Sequence, residues 1–164
     1  MLPFIDLASQ FKRIQSEVEE RVISVLRSGQ YILGPEVSEF EDKLAEFAKV
    51  KHAISCSSGT DALIIALMAK GVGPGDAIFT TPFTYFATAE VIALLGATPI
   101  FVDIDITTFN IDPSALKSAI LALKKCDTSN NVLPKWPLEE LRSLKPKGVI
   151  TVDLFGLPAD HDRI

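Results

Sequence analysis

The sequence predicts an α/β fold: a parallel sheet covered by helices. Three observations carry this. Short apolar runs alternate with amphipathic runs along most of the chain. The apolar runs, such as Ala77-Ile78-Phe79-Thr80-Thr81 and Gly148-Val149-Ile150-Thr151-Val152, are nearly continuous, as strands buried on both faces are. Glycine or proline closes most of the helical runs.

The elements follow in order. Phe11, Ile14, Val18, Val22, Val25 and Leu26 fall at helical spacing and predict a helix from about Ser9 to Arg27, stopped by Ser28-Gly29. Gln30 to Pro35 reads as a loop. A second helix carries Val37, Phe40, Leu44 and Phe47 on one face and a solvated acidic face elsewhere. Ala53 to Ser57 reads as a strand, with Cys56 buried in it as a small apolar residue. Thr60 to Lys70 reads as a helix ended by Gly71, and Gly73-Pro74-Gly75-Asp76 as a turn. A strand from Ala77 to Thr81 follows, then a helix from Thr84 to Leu95, then a strand from Pro99 to Asp103. Asp112-Pro113 is a cap with a first-turn proline opening a helix through about Lys124. Residues 125–147 are polar, carry Pro134, Pro137 and Pro146, and predict an excursion with a short helix near Leu138 to Leu144. The strand Gly148 to Val152 follows. A new helix begins near Asp160 just as the sequence ends, which predicts a fragment of a longer domain.

Composition narrows the function classes. The chain has 164 residues, 48% of them hydrophobic, and a formal charge of −5. The acidic balance gives no footing for nucleic-acid or membrane binding. Two cysteines and two histidines are too few and too scattered for a disulfide framework or a zinc site. The amino terminus lacks the pattern of a signal peptide, so a cytoplasmic protein is expected.

Three segments are candidates for chemistry. Ser57-Ser58-Gly59-Thr60-Asp61 joins a strand-like run to a helix start. The first amides of a helix lack internal partners and sit in the positive end of its dipole, so this turn is suited to a phosphate. Ser58 and Thr60 offer hydroxyls, and Gly59 allows close approach. The same residues also make an ordinary helix cap, and the motif alone leaves both readings open. Thr80-Thr81-Pro82-Phe83-Thr84-Tyr85-Phe86-Ala87-Thr88-Ala89 puts hydroxyls and aromatics at the carboxyl end of a strand, where parallel sheets bind ligands; on pattern alone the aromatics suit a core better. Val152-Asp153-Leu154-Phe155-Gly156-Leu157-Pro158-Ala159-Asp160 lies just past the last strand, with Gly156 and Pro158 setting a turn; Asp153 and Asp160 are suited either to orient a ligand or to serve as turn and cap residues, and Asp160 better fits the cap.

Taken in order and spacing, Gly29-Gln30-Tyr31-Ile32-Leu33-Gly34-Pro35-Glu36-Val37, Ser57-Ser58-Gly59-Thr60-Asp61-Ala62-Leu63, Gly73-Pro74-Gly75-Asp76, Pro82-Phe83-Thr84-Tyr85-Phe86-Ala87-Thr88-Ala89, Leu95-Gly96-Ala97-Thr98-Pro99 and Phe101-Val102-Asp103-Ile104-Asp105 resemble the amino-terminal part of the DegT/DnrJ/EryC1/StrS aminotransferases. The resemblance runs from residue 2 to 124 and resumes near 148. It divides the chain into a helical segment (1–50), a sheet region (51–124 and 148–164) and an insertion (125–147). It implies the large domain of fold type I transferases dependent on pyridoxal 5′-phosphate, with a mostly parallel seven-stranded sheet and an active site at a homodimer interface. It implies a nucleotide-linked keto-sugar as substrate and an amino acid, glutamate above all, as donor.

Carried over by position, Ser58, Gly59, Thr60 and Asp61 match the cofactor-phosphate turn and Tyr85 the aromatic on the pyridine ring. Tyr31, Ile32 and Leu33 match a loop near substrate and dimer partner. Phe155-Gly156 matches a turn beside the cofactor. Asp153 falls where the family varies and receives no role. No lysine here stands in the context of the family's Schiff-base lysine, which is expected beyond Ile164 with the acid that pairs the pyridine nitrogen. Rival readings are a dehydratase of the same family, in which histidine replaces that lysine; an inactive fragment; and another phosphate-binding α/β module. The last lacks a dinucleotide fingerprint and a P-loop.

Overall fold

The computed structural model describes residues 4–129, 133–134 and 136–164. The chain divides into two compact units, 1–55 and 56–164.

The first unit holds two helices. α1 (Leu7–Ser28) starts where the Asp6 carboxylate accepts from the Ser9 amide at 3.0 Å, and it closes at Gly29, whose φ is +70°. α2 (Pro35–Ala48) opens on a proline, whose fixed φ suits a first helical turn. Both match the sequence expectation to within a few residues. Their apolar stripes nevertheless stay uncovered, for no residue of either helix is buried.

Arg21 of α1 forks onto Glu39 of α2, with N–O distances of 2.8 and 3.1 Å, and Lys43 joins the same carboxylate at 2.5 Å. Hydrogen bonding by Arg21, then by Lys43, lowers the Glu39 carboxyl from 4.5 to about 2. A depressed carboxyl favours the folded state above its ordinary pKa, and that contribution is lost as pH falls from about 4.5 towards about 2. Arg21→Gln is therefore expected to flatten the acid limb of unfolding between those values, and high salt to shrink the difference, because both side chains are exposed. Superimposable acid limbs for the variant and the parent at low salt would refute the assignment.

No strand forms over Ala53 to Ser57. The Ser55 amide and hydroxyl both donate to the Glu41 carboxylate at 2.7 Å, so that amide serves a side chain instead of a ladder. Cys56 is accordingly exposed, not buried, and its thiol donates to the Ser58 carbonyl at 3.2 Å.

The second unit is a three-layer α/β arrangement. Its elements are α3 (Gly59–Ala69), β1 (Asp76–Thr80), α4 (Ala87–Leu94), β2 (Thr98–Phe101), α5 (Pro113–Lys125), α6 (Leu138–Ser143), β3 (Lys145–Val149) and a 3₁₀ turn at Leu154–Gly156. The strands are parallel in the order β2-β1-β3, so β1 is central. Side chains alternate across it, as the pleat requires. Ala77 and Phe79 join Leu116, Ala119 and Leu123 of α5 and Leu141 of α6 on one face. Ile78 joins Val91 and Ile92 of α4 on the other, with Leu63, Ile64 and Leu67 of α3 against them.

Three details depart from the sequence reading. β3 begins at Lys145, ahead of Gly148, because the Lys145 amide donates to the Gly75 carbonyl at 2.9 Å. Its register with β1 shifts by one residue between Pro146 and Gly148, and Pro146 lies on an edge strand, where a sheet tolerates proline. The regular helix after β1 starts at Ala87, three residues later than expected. A turn precedes it, in which the Phe83 amide donates to the Thr81 hydroxyl at 3.1 Å. The polar stretch 125–147 also serves the core, since Leu133 and Leu141 are buried in it; residues 130–132 and 135 lie outside the described residues. No described helix is long and apolar enough to cross a membrane, and no group of potential metal ligands gathers among the described residues.

Candidate functional site

The carboxyl ends of β1 and β3 open into a cleft of about 590 Å³. Its walls come from three places. Gly59, Thr60 and Leu63 belong to the start of α3. Thr84, Tyr85, Ala87 and Thr88 follow β1, and Ile150 to Leu154 follow β3. This is the edge at which open parallel sheets bind ligands. β1 fixes the second wall through its buried end, where the Thr80 hydroxyl donates to the Ile150 carbonyl at 3.0 Å and so ties β1 to the third.

The α3 start has the chemistry of an anion site. Ser58 is the N-cap, in extended geometry. Its side-chain oxygen accepts from the Asp61 amide at 3.1 Å and its carbonyl from the Ala62 amide at 3.0 Å. The amides of Gly59 and Thr60, which come before these, keep no acceptor among the described residues. They are the helix's orphan donors, at the positive end of its dipole. A Cβ built on Gly59 would meet nothing within 4 Å, so space lies open against the backbone.

Asp61 faces its own turn. Ser57 donates to its carboxylate at 2.5 Å and Ser58 at 2.9 Å. These hydroxyls, Ser57 first, hold the carboxyl below its usual range. An ionised Asp61 thus locks the two serines into the cap. Of the residues expected at the phosphate turn, Gly59 and Thr60 line the cleft, whereas Ser58 and Asp61 hold the turn together and are not among its lining residues.

Tyr85 lines the same cleft and is exposed, as are Phe83 and Phe86, so none of the three serves the core. Thr84 and Thr88, among the hydroxyls expected at the carboxyl end of this strand, line the cleft, and their hydroxyls pair with each other at 2.9 Å in its wall. Asp153 also lines the cleft, but its carboxylate accepts from the Ala159 amide at 3.0 Å, as a turn-holding residue does. Tyr31, Ile32 and Leu33 belong to the first unit, where they are exposed and line a hollow of about 370 Å³ within the 29–34 loop. The Tyr31 hydroxyl donates to the Leu26 carbonyl at 3.1 Å. None of the twelve residues around the 590 Å³ cleft is a lysine.

A parallel sheet with helices on both faces, a helix start with free amides and a cleft at the strand ends make this an α/β domain of the doubly covered kind with a candidate ligand site. The chain belongs to the DegT/DnrJ/EryC1/StrS aminotransferase family, whose model matches residues 12–164. It is 48% identical, over its whole length, to the UDP-2-acetamido-2-deoxy-3-oxo-D-glucuronate aminotransferase of Pseudomonas aeruginosa, and covers 40% of that protein. Among solved structures, a DegT DnrJ EryC1 StrS aminotransferase from Brucella abortus superposes with a TM-score of 0.85 at 45% identity, with 99% of this chain and 40% of that one covered. The protein Spr1654 of Streptococcus pneumoniae, solved in its PLP form, matches with a TM-score of 0.70 at 30% identity over 91% of this chain and 32% of its own. The fold is therefore that of the pyridoxal-phosphate-dependent aminotransferases, a parallel sheet flanked by helices. The chain spans about 40% of the length of the first two of these relatives.

Proposed function

We propose that this chain forms the phosphate-holding and ring-facing part of a pyridoxal-phosphate-dependent aminotransferase of nucleotide-linked keto-sugars. The observation that carries the reading is one cleft in which the free Gly59 and Thr60 amides share a wall system with the exposed ring of Tyr85. A phosphorylated planar cofactor needs donors at one end and an aromatic face along its ring. The name of the Pseudomonas aeruginosa relative, an oxo-sugar carried on UDP, supports the substrate class.

The residues present fit the cofactor. The two amides and the Thr60 hydroxyl would donate to its phosphate, with the helix dipole adding to the attraction. Open space at Gly59 admits the phosphate to the backbone. Tyr85 would stack on the pyridine ring. Ser58 and Asp61 contribute by keeping the cap in shape. When bound, the cofactor supplies an electron sink at the carbon that gains or loses the amino group. Leu63, Ile150, Val152 and Leu154 give the cleft an apolar lining, which limits water beside the ring. The catalytic lysine and the acid at the ring nitrogen lie, on this reading, outside residues 1–164. A glutamate donor, a homodimer whose 31–33 loop approaches the substrate, an insertion at 125–147 and a cytoplasmic location complete the proposal.

The test is the intact mass of the native gene product, purified with pyridoxal phosphate and reduced with borohydride. A chain more than twice this length that carries one reduced cofactor adduct is the expected result. A longer chain with no adduct would sink the aminotransferase reading.

A further inference from the structure

Asn110 is a polar residue that the proposed chemistry does not use, and yet it is buried, with 3% of its surface exposed. Its side chain spends both of its hydrogen-bonding ends on one short piece of backbone more than forty residues away. The carboxamide oxygen accepts from the Leu154 amide at 3.1 Å, and the carboxamide nitrogen donates to the Leu157 carbonyl at 2.8 Å. Donor meets acceptor at both contacts only in this orientation of the amide.

The clamped piece is strained. Between Leu154 and Leu157 the chain passes through Phe155 at φ +55° and Gly156 at φ +82°, and a left-handed Phe is costly without outside support. The turn's own hydrogen bonds, from Gly156 to the Asp153 carbonyl and from Leu157 to the Leu154 carbonyl, are 3.2 and 3.1 Å long. The loop that presents Asn110 is itself braced. Ile104 and Ile111 form an antiparallel bridge around it, and the Asp105 amide donates to the Asn110 carbonyl at 2.9 Å. The Asp105 carboxylate takes the Thr107 amide and hydroxyl and the Thr108 amide. Phe109, next in line, packs its ring edge-on against Phe155, with centroids 6.1 Å apart.

Leu154 is the last residue of the cleft wall that runs from Ile150. We propose that Asn110 is a positioning residue for this site: its carboxamide holds the Leu154–Leu157 turn and thereby sets the wall beside the cofactor. The inference rests on the cofactor reading above and adds a residue to it that touches neither cofactor nor substrate.

Asn110→Asp in the full-length protein tests it. An ionised carboxylate keeps the acceptor for Leu154 but meets the Leu157 carbonyl with a second acceptor. A protonated one restores the donor. The variant is therefore expected to hold pyridoxal phosphate about tenfold less tightly than the parent at neutral pH, and the deficit is expected to close as pH falls and the buried acid takes up its proton. Amide exchange at Leu154 should rise at neutral pH while exchange at Phe79 in β1 stays unchanged. Asn110→Ala, which buries no charge, should show the same loss with no recovery in acid. Parental cofactor affinity in a folded Asn110→Ala protein would overturn the proposal, as would a deficit in Asn110→Asp that ignores pH. A parent protein that binds no pyridoxal phosphate would overturn the site reading itself, and that result needs no variant.

Discussion

Thr60→Val in the full-length protein is expected to weaken pyridoxal phosphate binding about tenfold to about a hundredfold. The change removes one hydroxyl from the first turn of α3 and keeps its shape. A hydrogen bond to a charged group contributes about 1.5–3 kcal/mol, and about 1.4 kcal/mol corresponds to tenfold in affinity. Thr60 lines the cleft and is only half-buried, so the fold should tolerate the swap. Two controls isolate the phosphate. Thr60→Ser keeps the donor and should keep the affinity. Pyridoxal without its phosphate should bind parent and Thr60→Val alike, because the missing contact is made to the phosphate. Equal affinity of parent and variant for pyridoxal phosphate, measured by equilibrium dialysis, would remove Thr60 from the cradle.

Phe79→Ala is expected to destabilise the full-length protein by about 3–5 kcal/mol, the range for truncating a buried aromatic. Phe79 is 1% exposed in β1, the central strand, which pairs on both sides and can shift little to close a void. Its ring packs in the cluster built by α5 and α6, so the loss should be cooperative with Leu123 and Leu141. Phe79→Leu should cost clearly less, because most of the volume is retained. The urea midpoint reads both effects. A shift in Phe79→Ala no larger than that of a surface substitution would mean that β1 is not the centre of this sheet.

The two predictions fall on residues of different legibility. Phe79 could be read directly, because a near-continuous apolar run bounded by turn residues has few uses other than a buried parallel strand. Thr60 could be read as well, because a helix start has a fixed set of orphan amides wherever it occurs. Asn110 could not. Its partners are 44 and 47 residues away, and nothing local in Phe109-Asn110-Ile111 marks a side chain that will be buried. The missing strand at 53–57 failed for the converse reason. Its residues have strand composition, but a strand exists only where a neighbour accepts its amides, and Glu41 took the Ser55 amide first.

The sequence by itself determined the alternation of helices and strands, the caps at Ser58 and Asp112, the anion-type start of α3 and, through ordered motifs, the family. All of these depend on neighbours within a few positions, where periodicity and capping chemistry act. The tertiary structure decided which candidates meet. It brought Thr60, Tyr85 and Leu154 around one cleft, kept Ser58 and Asp61 as braces of the turn, recruited Leu133 and Leu141 from a polar stretch into the core, and set Asn110 across the turn that follows β3. Those outcomes depend on which strand edges pair and which faces pack together, and such contacts between distant residues have no signature in the local order of the chain.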